Sequence, residues 1–230
     1  MNASLNILQN PSPNCGERRD NALPELIVLH YTAMNSARAA LERLCDITAE
    51  VSAHYLIAED GTTWQMVDET KRAWHAGAGE WRGVGDVNSR SIGIELANRG
   101  DHPFPEPQMW SLETLMHGIM TRWAIRPESV IAHSDMAPGR KCDPGNRFDW
   151  RRLSLLGLAY WPQETGPKHI DPQAFRDDLL TFGYPDVADN LLLEAMRLRF
   201  LPWVHGPLTT KDMTVAAALA ASGRQLSTPP

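Results

Sequence analysis

The sequence predicts an α/β fold followed by a small helical domain, and three observations carry that reading. Short apolar runs of strand length alternate with helical stripes. One Asp-Gly pair sits between two strand-like runs. Beyond a Pro/Gly-containing stretch near residue 161, three helical patterns follow with no strand between them. At 230 residues the chain suits one domain of ordinary size plus a small second one, and its 43% hydrophobic content is enough to bury a core.

The elements follow in order. Residues 1–24 are rich in Asn and Pro and read as an irregular arm. Leu26 to Tyr31 is an apolar run of buried-strand type. Ser36 stands where it can cap a helix carrying Ala40, Leu41 and Leu44 at helical spacing. Ala53 to Ala58 and Thr62 to Val67 flank Glu59-Asp60-Gly61, a hairpin signal, because Gly tolerates the positive φ of the turn. Trp81 to Asn88 reads as a loop, and a lid is one role for it. In Ser91 to Ala97, Ile92, Ile94 and Leu96 alternate with Gly93 and Glu95, the pattern of a strand. Leu112, Leu115, Met116, Ile119, Met120 and Trp123 form one helical stripe, with Pro107 near its start. Val130 to His133 is a short strand, and Met136 to Arg147 a loop rich in Pro, Gly and charge. Trp161 to Pro167 reads as a linker, followed by helices over Pro172–Phe182, Val187–Phe200 and Lys211–Ala221.

Composition narrows the partners. A net charge of −6 argues against nucleic acid as the main ligand. Cys15, Cys45 and Cys142 are odd in number and irregular in spacing, so neither a disulfide framework nor a Cys-x-x-Cys metal pair is expected. The first residues lack a basic segment and a signal-type apolar core, and no run approaches the roughly 18 apolar residues of a membrane span. A protein without an integral membrane segment, working in the cytoplasm, is the expectation.

Histidines close two of the strand-like runs: His30 after Leu26–Leu29, and His133 after Val130–Ala132. Asp143 follows in the Pro/Gly loop. In an alternating α/β chain, strand C-termini share one sheet edge, where ligands bind. Two His and one carboxylate can fill three corners of a zinc tetrahedron and leave the fourth for water. Each residue alone reads differently: a lone His at a strand end is more often structural, and Asp before Pro-Gly is more often a turn residue.

Six ordered segments add a resemblance. They are Leu29-His30-Tyr31-Thr32; Val51-Ser52-Ala53-His54-Tyr55-Leu56-Ile57; Arg72-Ala73-Trp74-His75-Ala76-Gly77; Ser91-Ile92-Gly93-Ile94-Glu95-Leu96; Ala132-His133-Ser134-Asp135; and Lys141-Cys142-Asp143-Pro144-Gly145. From about Ile27 to Asp149 the chain resembles the zinc N-acetylmuramoyl-L-alanine amidases of AmpD-like and phage-lysozyme type, whose fold is shared with peptidoglycan recognition proteins. The resemblance implies a mixed central β-sheet flanked by helices. It also implies hydrolysis of the bond between N-acetylmuramic acid and L-alanine in peptidoglycan or anhydro-muropeptides, with Zn2+ as cofactor.

Carried onto this sequence, the zinc ligands fall on His30, His133 and Asp143. Cys142, the softer neighbour, would attract zinc by chemistry alone, but the resemblance places the ligand two residues after Lys141. The acid/base residue falls on Glu95, and Lys141 becomes the stabiliser of an oxyanion. The resemblance makes Trp74 and His75 groove residues. From their own chemistry, Asn88 and Arg90, just before the Glu95 strand, read either as holders of a peptide carboxylate or as surface residues, and mid-strand His54 as a structural histidine. The resemblance divides the chain into a catalytic domain over 1–160, a linker over 161–170 and a three-helix peptidoglycan-binding-like domain over 171–230. A non-catalytic peptidoglycan-recognition module and a phage-type lytic amidase are the alternative readings.

Overall fold

The computed structural model describes residues 5–163 and 169–226, with no account of the side chains of residues 225 and 226. Residues 1–4 of the expected arm and 164–168 of the expected linker lie outside the described residues.

A six-stranded sheet organises the chain, in the order β1 (Ile7–Gln9), β5 (Thr63–Gln65), β4 (Tyr55–Ile57), β7 (Ser91–Leu96), β3 (Leu26–Tyr31), β8 (Val130–Ala132). β4, β7, β3 and β8 run parallel to their neighbours, while β4 and β5 form the antiparallel hairpin expected around Gly61. The sheet is therefore mixed. The expected arm is a correction: β1 adds a parallel edge strand beside β5, and β2 (Cys15–Glu17) pairs with β6 (Lys71–Ala73) in a separate ribbon. Asn and Pro suppressed the strand signal there, because these pairings rest on main-chain bonds to distant partners rather than on local propensity. Buried Arg18 anchors the arm by donating to the carbonyls of Glu69, Ser89 and Ser91.

Alternation within the strands sorts side chains to two faces. Ile27, Leu29, Ile92, Ile94, Val130 and Ala132 point to one face, where α3 (Glu106–Trp123) and α5 (Trp150–Leu155) cover them. Leu26, Val28 and Ile131 point to the other and share a hydrophobic cluster with α6 (Pro172–Phe182), α7 (Asp189–Phe200) and α8 (Thr210–Leu226). The three C-terminal helices thus close the second face of the sheet. Trp81 belongs to the same cluster, packed edge-on against Phe182 and Tyr184. The Arg82 N–H donates to the Gly183 carbonyl at 2.9 Å. The Trp81 to Asn88 stretch is therefore fastened to the helical segment, and the lid expected there gives way to this anchored loop, which ends in α2 (Val87–Arg90).

A smaller cluster of Ala40, Leu44, Ala53, Leu56 and Met66 seats α1 (Ala37–Leu44) on the sheet. Ser36 Oγ accepts from the Ala39 N–H at 3.2 Å, an N-cap worth about 1 kcal/mol.

Candidate active site

β7, β3 and β8 lie side by side in parallel, so their C-terminal ends share an edge. Register places His30 directly beside Glu95, and alternation turns both to the face opposite the Ile27/Ile92 core. His133 follows β8 as the first residue of the short helix α4 (His133–Met136). The loop after α4 returns Asp143 to the same point, where the Ser134 N–H donates to the Asp143 carbonyl at 3.1 Å.

His30, His133 and Asp143 converge and are all buried. His30 Nδ1 lies 2.9 Å from His133 Nδ1 and 2.9 Å from Asp143 Oδ2, and His133 Nδ1 lies 3.0 Å from the same oxygen. A tetrahedral ion with bonds of about 2.0–2.1 Å sets its ligand atoms about 3.3–3.4 Å apart, so small outward shifts would admit it. The chemistry of the donor set points the same way. His133 Nε2 faces the Ala76 carbonyl at 2.9 Å, and a carbonyl only accepts, so that nitrogen carries the hydrogen. In its neutral form the His133 ring turns a bare Nδ1 lone pair toward a carboxylate oxygen. A cation is the group that such a cluster of lone pairs fits. Cys142 is exposed and outside this cluster, its sulfur 3.1 Å from the Tyr31 hydroxyl.

Burial and charge set the protonation states. Burial, with repulsion from His133, lowers His30 to about 4, so it is neutral near pH 7. Glu95 is raised to about 8, by burial first and by Asp143 second, with Lys141 opposing. Glu95 Oε2 is enclosed and has no hydrogen-bond partner. A cation beside it would pull that value down again.

A cavity of about 400 Å³ opens over this cluster. Trp74, His75, Glu95, Lys141 and the three converging residues line it, so most of the expected site is brought together. Two expected residues are not. Arg90 donates to the carbonyls of Trp81 and Val84 and pairs with Glu25, away from the cavity. Asn88 is buried behind the cavity wall, its Oδ1 accepting from the N–H groups of His75 (3.0 Å) and Ala76 (2.8 Å). The carboxylate-holding role expected of both is corrected accordingly: neither lines the cavity, Asn88 Oδ1 is taken by backbone N–H groups, and Arg90 by two carbonyls and Glu25. His54 is buried and satisfied, with Nδ1 accepting from the Gly93 N–H at 3.0 Å and Nε2 facing the Lys71 carbonyl at 3.1 Å.

Arg43 and Arg140 also line the cavity and went unnoticed in the sequence. Arg43 is an exposed residue of α1 one turn after buried Ala40, where a solvated cation was the ordinary reading. Gly93 did carry a signal. A glycine inside an alternating strand marks a close approach, and a Cβ there would stand 2.4 Å from the His75 ring.

Comparison with known proteins decides the family. The sequence profile described as N-acetylmuramoyl-L-alanine amidase matches residues 19–146. The chain belongs to the N-acetylmuramoyl-L-alanine amidase family. It is 33% identical to the N-acetylmuramoyl-L-alanine amidase AmiD of Escherichia coli strain K12, over 85% of this chain and 82% of that protein. It is 32% identical to the 1,6-anhydro-N-acetylmuramyl-L-alanine amidase AmpD of the same organism, over 64% of this chain and 89% of the relative. The solved complex of E. coli AmiD with anhydro-N-acetylmuramic acid-L-Ala-D-gamma-Glu-L-Lys superposes with a TM-score of 0.78 at 32% identity, covering 90% of this chain and 93% of that one. AmpDh3 of Pseudomonas aeruginosa superposes with a TM-score of 0.79 at 27% identity, covering 93% and 95%. The chain is thus an enzyme, an amidase that hydrolyses the N-acetylmuramic acid–L-alanine bond, on the mixed-sheet fold expected. Its His30, His133 and Asp143 form a cluster able to hold a metal ion. No helix among the described residues is long and apolar enough to cross a membrane.

Proposed function

We propose that this amidase is zinc-dependent, that His30, His133 and Asp143 hold the ion, and that its substrates are anhydro-muropeptides recovered from wall turnover. The observation that carries the metal assignment is the convergence of two imidazole Nδ1 atoms and one carboxylate oxygen within about 3 Å, while each imidazole Nε2 faces a partner of its own. When bound there, zinc supplies Lewis acidity and makes water acidic enough to lose a proton near neutral pH.

The chain's own residues do the rest. Glu95, at the cavity wall beside His30, takes a proton from the attacking water and later delivers one to the leaving L-alanine nitrogen. Its raised value, brought down toward neutrality by a neighbouring cation, suits a group that must both accept and give a proton. The Lys141 ammonium lies at the cavity rim and stabilises negative charge developing on the lactyl oxygen. Trp74 offers an aromatic face to the sugar.

Two further parts extend the proposal. The fragment-recycling role puts the enzyme with its substrate in the cytoplasm, which cell fractionation tests. The C-terminal helices α6 to α8 make wall contact, with exposed Trp203 as the sugar-facing aromatic; sacculus pelleting of Trp203→Ala against the parent tests it.

Mass spectrometry of products tests the central reading. Release of intact peptide from anhydro-muropeptide, with no cleavage of the peptide alone, supports it. Cleavage within the peptide, or activity undiminished by chelation, overturns it.

A further inference from the structure

Behind the metal cluster lies an arrangement that fixes which nitrogen of each histidine faces the ion. The His133 branch is short: its Nε2–H donates to the Ala76 carbonyl at 2.9 Å, so in the neutral ring Nδ1 is left bare. The His30 branch is longer and ends the same way. Ser91 Oγ–H donates to the Val87 carbonyl at 2.6 Å, which leaves that oxygen as an acceptor. His75 Nε2–H then donates to Ser91 Oγ at 3.1 Å, and His75 Nδ1 becomes an acceptor. His30 Nε2–H donates to His75 Nδ1 at 3.0 Å, and His30 Nδ1 is bare.

Both branches start from a backbone carbonyl, and both pass through consecutive residues, His75 and Ala76. That dipeptide is itself held from behind. Asn88 Oδ1 accepts from both of its N–H groups. Gly93, having no side chain, leaves room for the His75 ring against β7.

We propose that His75 and Asn88 are positioning residues: His75 fixes the tautomer and orientation of His30, and Asn88 fixes the His75–Ala76 segment so that the two imidazoles meet one ion through Nδ1. The proposal rests on the metal reading above and moves His75 from the groove, and Asn88 from substrate contact, to the layer behind the ligands. Outer groups of this kind change metal affinity by roughly 10–100-fold.

Competition with a zinc chelator on the full chain tests it. His75→Leu deletes the acceptor, while His75→Asn keeps one near the place of Nδ1 and loses the Ser91 bond as Leu does. Asn88→Ala orphans two N–H groups, while Asn88→Asp keeps an oxygen there. The expected result is zinc binding weakened about 10–100-fold in His75→Leu and Asn88→Ala, and restored to within about threefold in His75→Asn and Asn88→Asp. Melting of the metal-free forms is expected to be alike for His75→Leu and His75→Asn, separating affinity from folding. Nitrogen NMR of the metal-free parent is expected to show both ligand histidines carrying hydrogen on Nε2. Parent-like affinity in His75→Leu, or affinity as weak in His75→Asn as in His75→Leu, overturns this proposal alone. A parent that takes up no zinc overturns the metal reading and this one together.

Discussion

Asp135 and Asp143 stand eight residues apart, both buried, and are neutralised in opposite ways. Asp135 finds its counter-charge inside the protein. Arg199 donates to Oδ2 at 2.7 Å, the Tyr184 hydroxyl to Oδ1 at 2.8 Å, and the Ala132 N–H to Oδ2 at 2.8 Å. The Arg199 guanidinium lies 4.1 Å from the Trp150 ring centroid, fully buried between the sheet and the C-terminal helices. Among the described residues Asp143 has no Arg or Lys paired with it. Its Oδ2 meets the Nδ1 atoms of two imidazoles, which in their neutral forms turn lone pairs toward it. A buried carboxylate that meets a buried guanidinium is structural. A buried carboxylate facing further acceptors is a binding site for a positive ion. Both residues sit in one polar stretch of sequence, and only the surroundings tell them apart.

The comparison breaks most sharply on metal content. Asp143→Ala is expected to lose retained zinc, with turnover falling by at least about 10³-fold, since the activated water is lost with the ion. Asp143→Asn is expected to bind zinc no better, yet its metal-free form should match or exceed the parent in stability, because the carboxylate charge facing two lone pairs is gone. Metal analysis with thermal melting checks both halves.

Asp135→Ala should do the reverse. It strands the Arg199 charge in the interior, and breaking a buried pair costs about 3–5 kcal/mol. Zinc per folded chain should stay unchanged. Asp135→Asn combined with Arg199→Met should recover much of the stability, which denaturant titration of the single and double variants would read.

Glu95→Gln sharpens the account at the cavity. It keeps the shape and the zinc but removes proton transfer, so kcat should fall about 10²–10⁴-fold with metal content intact. Full activity in that variant would reassign the acid/base role.

A gentler effect concerns pH. His54 is lowered to about 4, by burial first and repulsion from Arg18 second. Unfolding returns it to about 6.5. Between those values the unfolded chain binds the extra proton, so the stability His54 contributes is present above about pH 6.5 and lost as pH falls toward 4. The slope is at most about 1.4 kcal/mol per pH unit. Urea titrations of the metal-free parent and His54→Asn across that window should diverge by this amount.

Cys142→Ser should change least, leaving zinc content and stability near the parent's, because its sulfur faces the Tyr31 hydroxyl rather than the ligand cluster.

Much of this architecture was legible in the sequence because it is written in period. The alternation in Ser91 to Leu96 fixed which side of β7 Glu95 takes, and the Asp-Gly turn fixed the β4–β5 hairpin. Ser36 marked the start of α1. What the sequence hid depends on distant partners. β1 and β2 pair through backbone with segments more than fifty residues away, across Asn- and Pro-rich sequence. Arg90 and Asn88 looked like ligand-binding residues, yet carbonyls and N–H groups across the fold occupy them. Their polar character was visible; their partners were not. The extent of the core shared by sheet and C-terminal helices was equally hidden, since apolar stripes do not say which surface they will cover.

Calorimetric titration of zinc into the metal-free protein near pH 7, run on the parent, Asp143→Asn and the Asp135→Asn/Arg199→Met pair, tests the account most directly. It predicts one tight site per chain in the parent and in the Asp135/Arg199 variant, and none in Asp143→Asn. Zinc uptake that survives in Asp143→Asn, or that disappears in the Asp135/Arg199 variant while the chain stays folded, would contradict it.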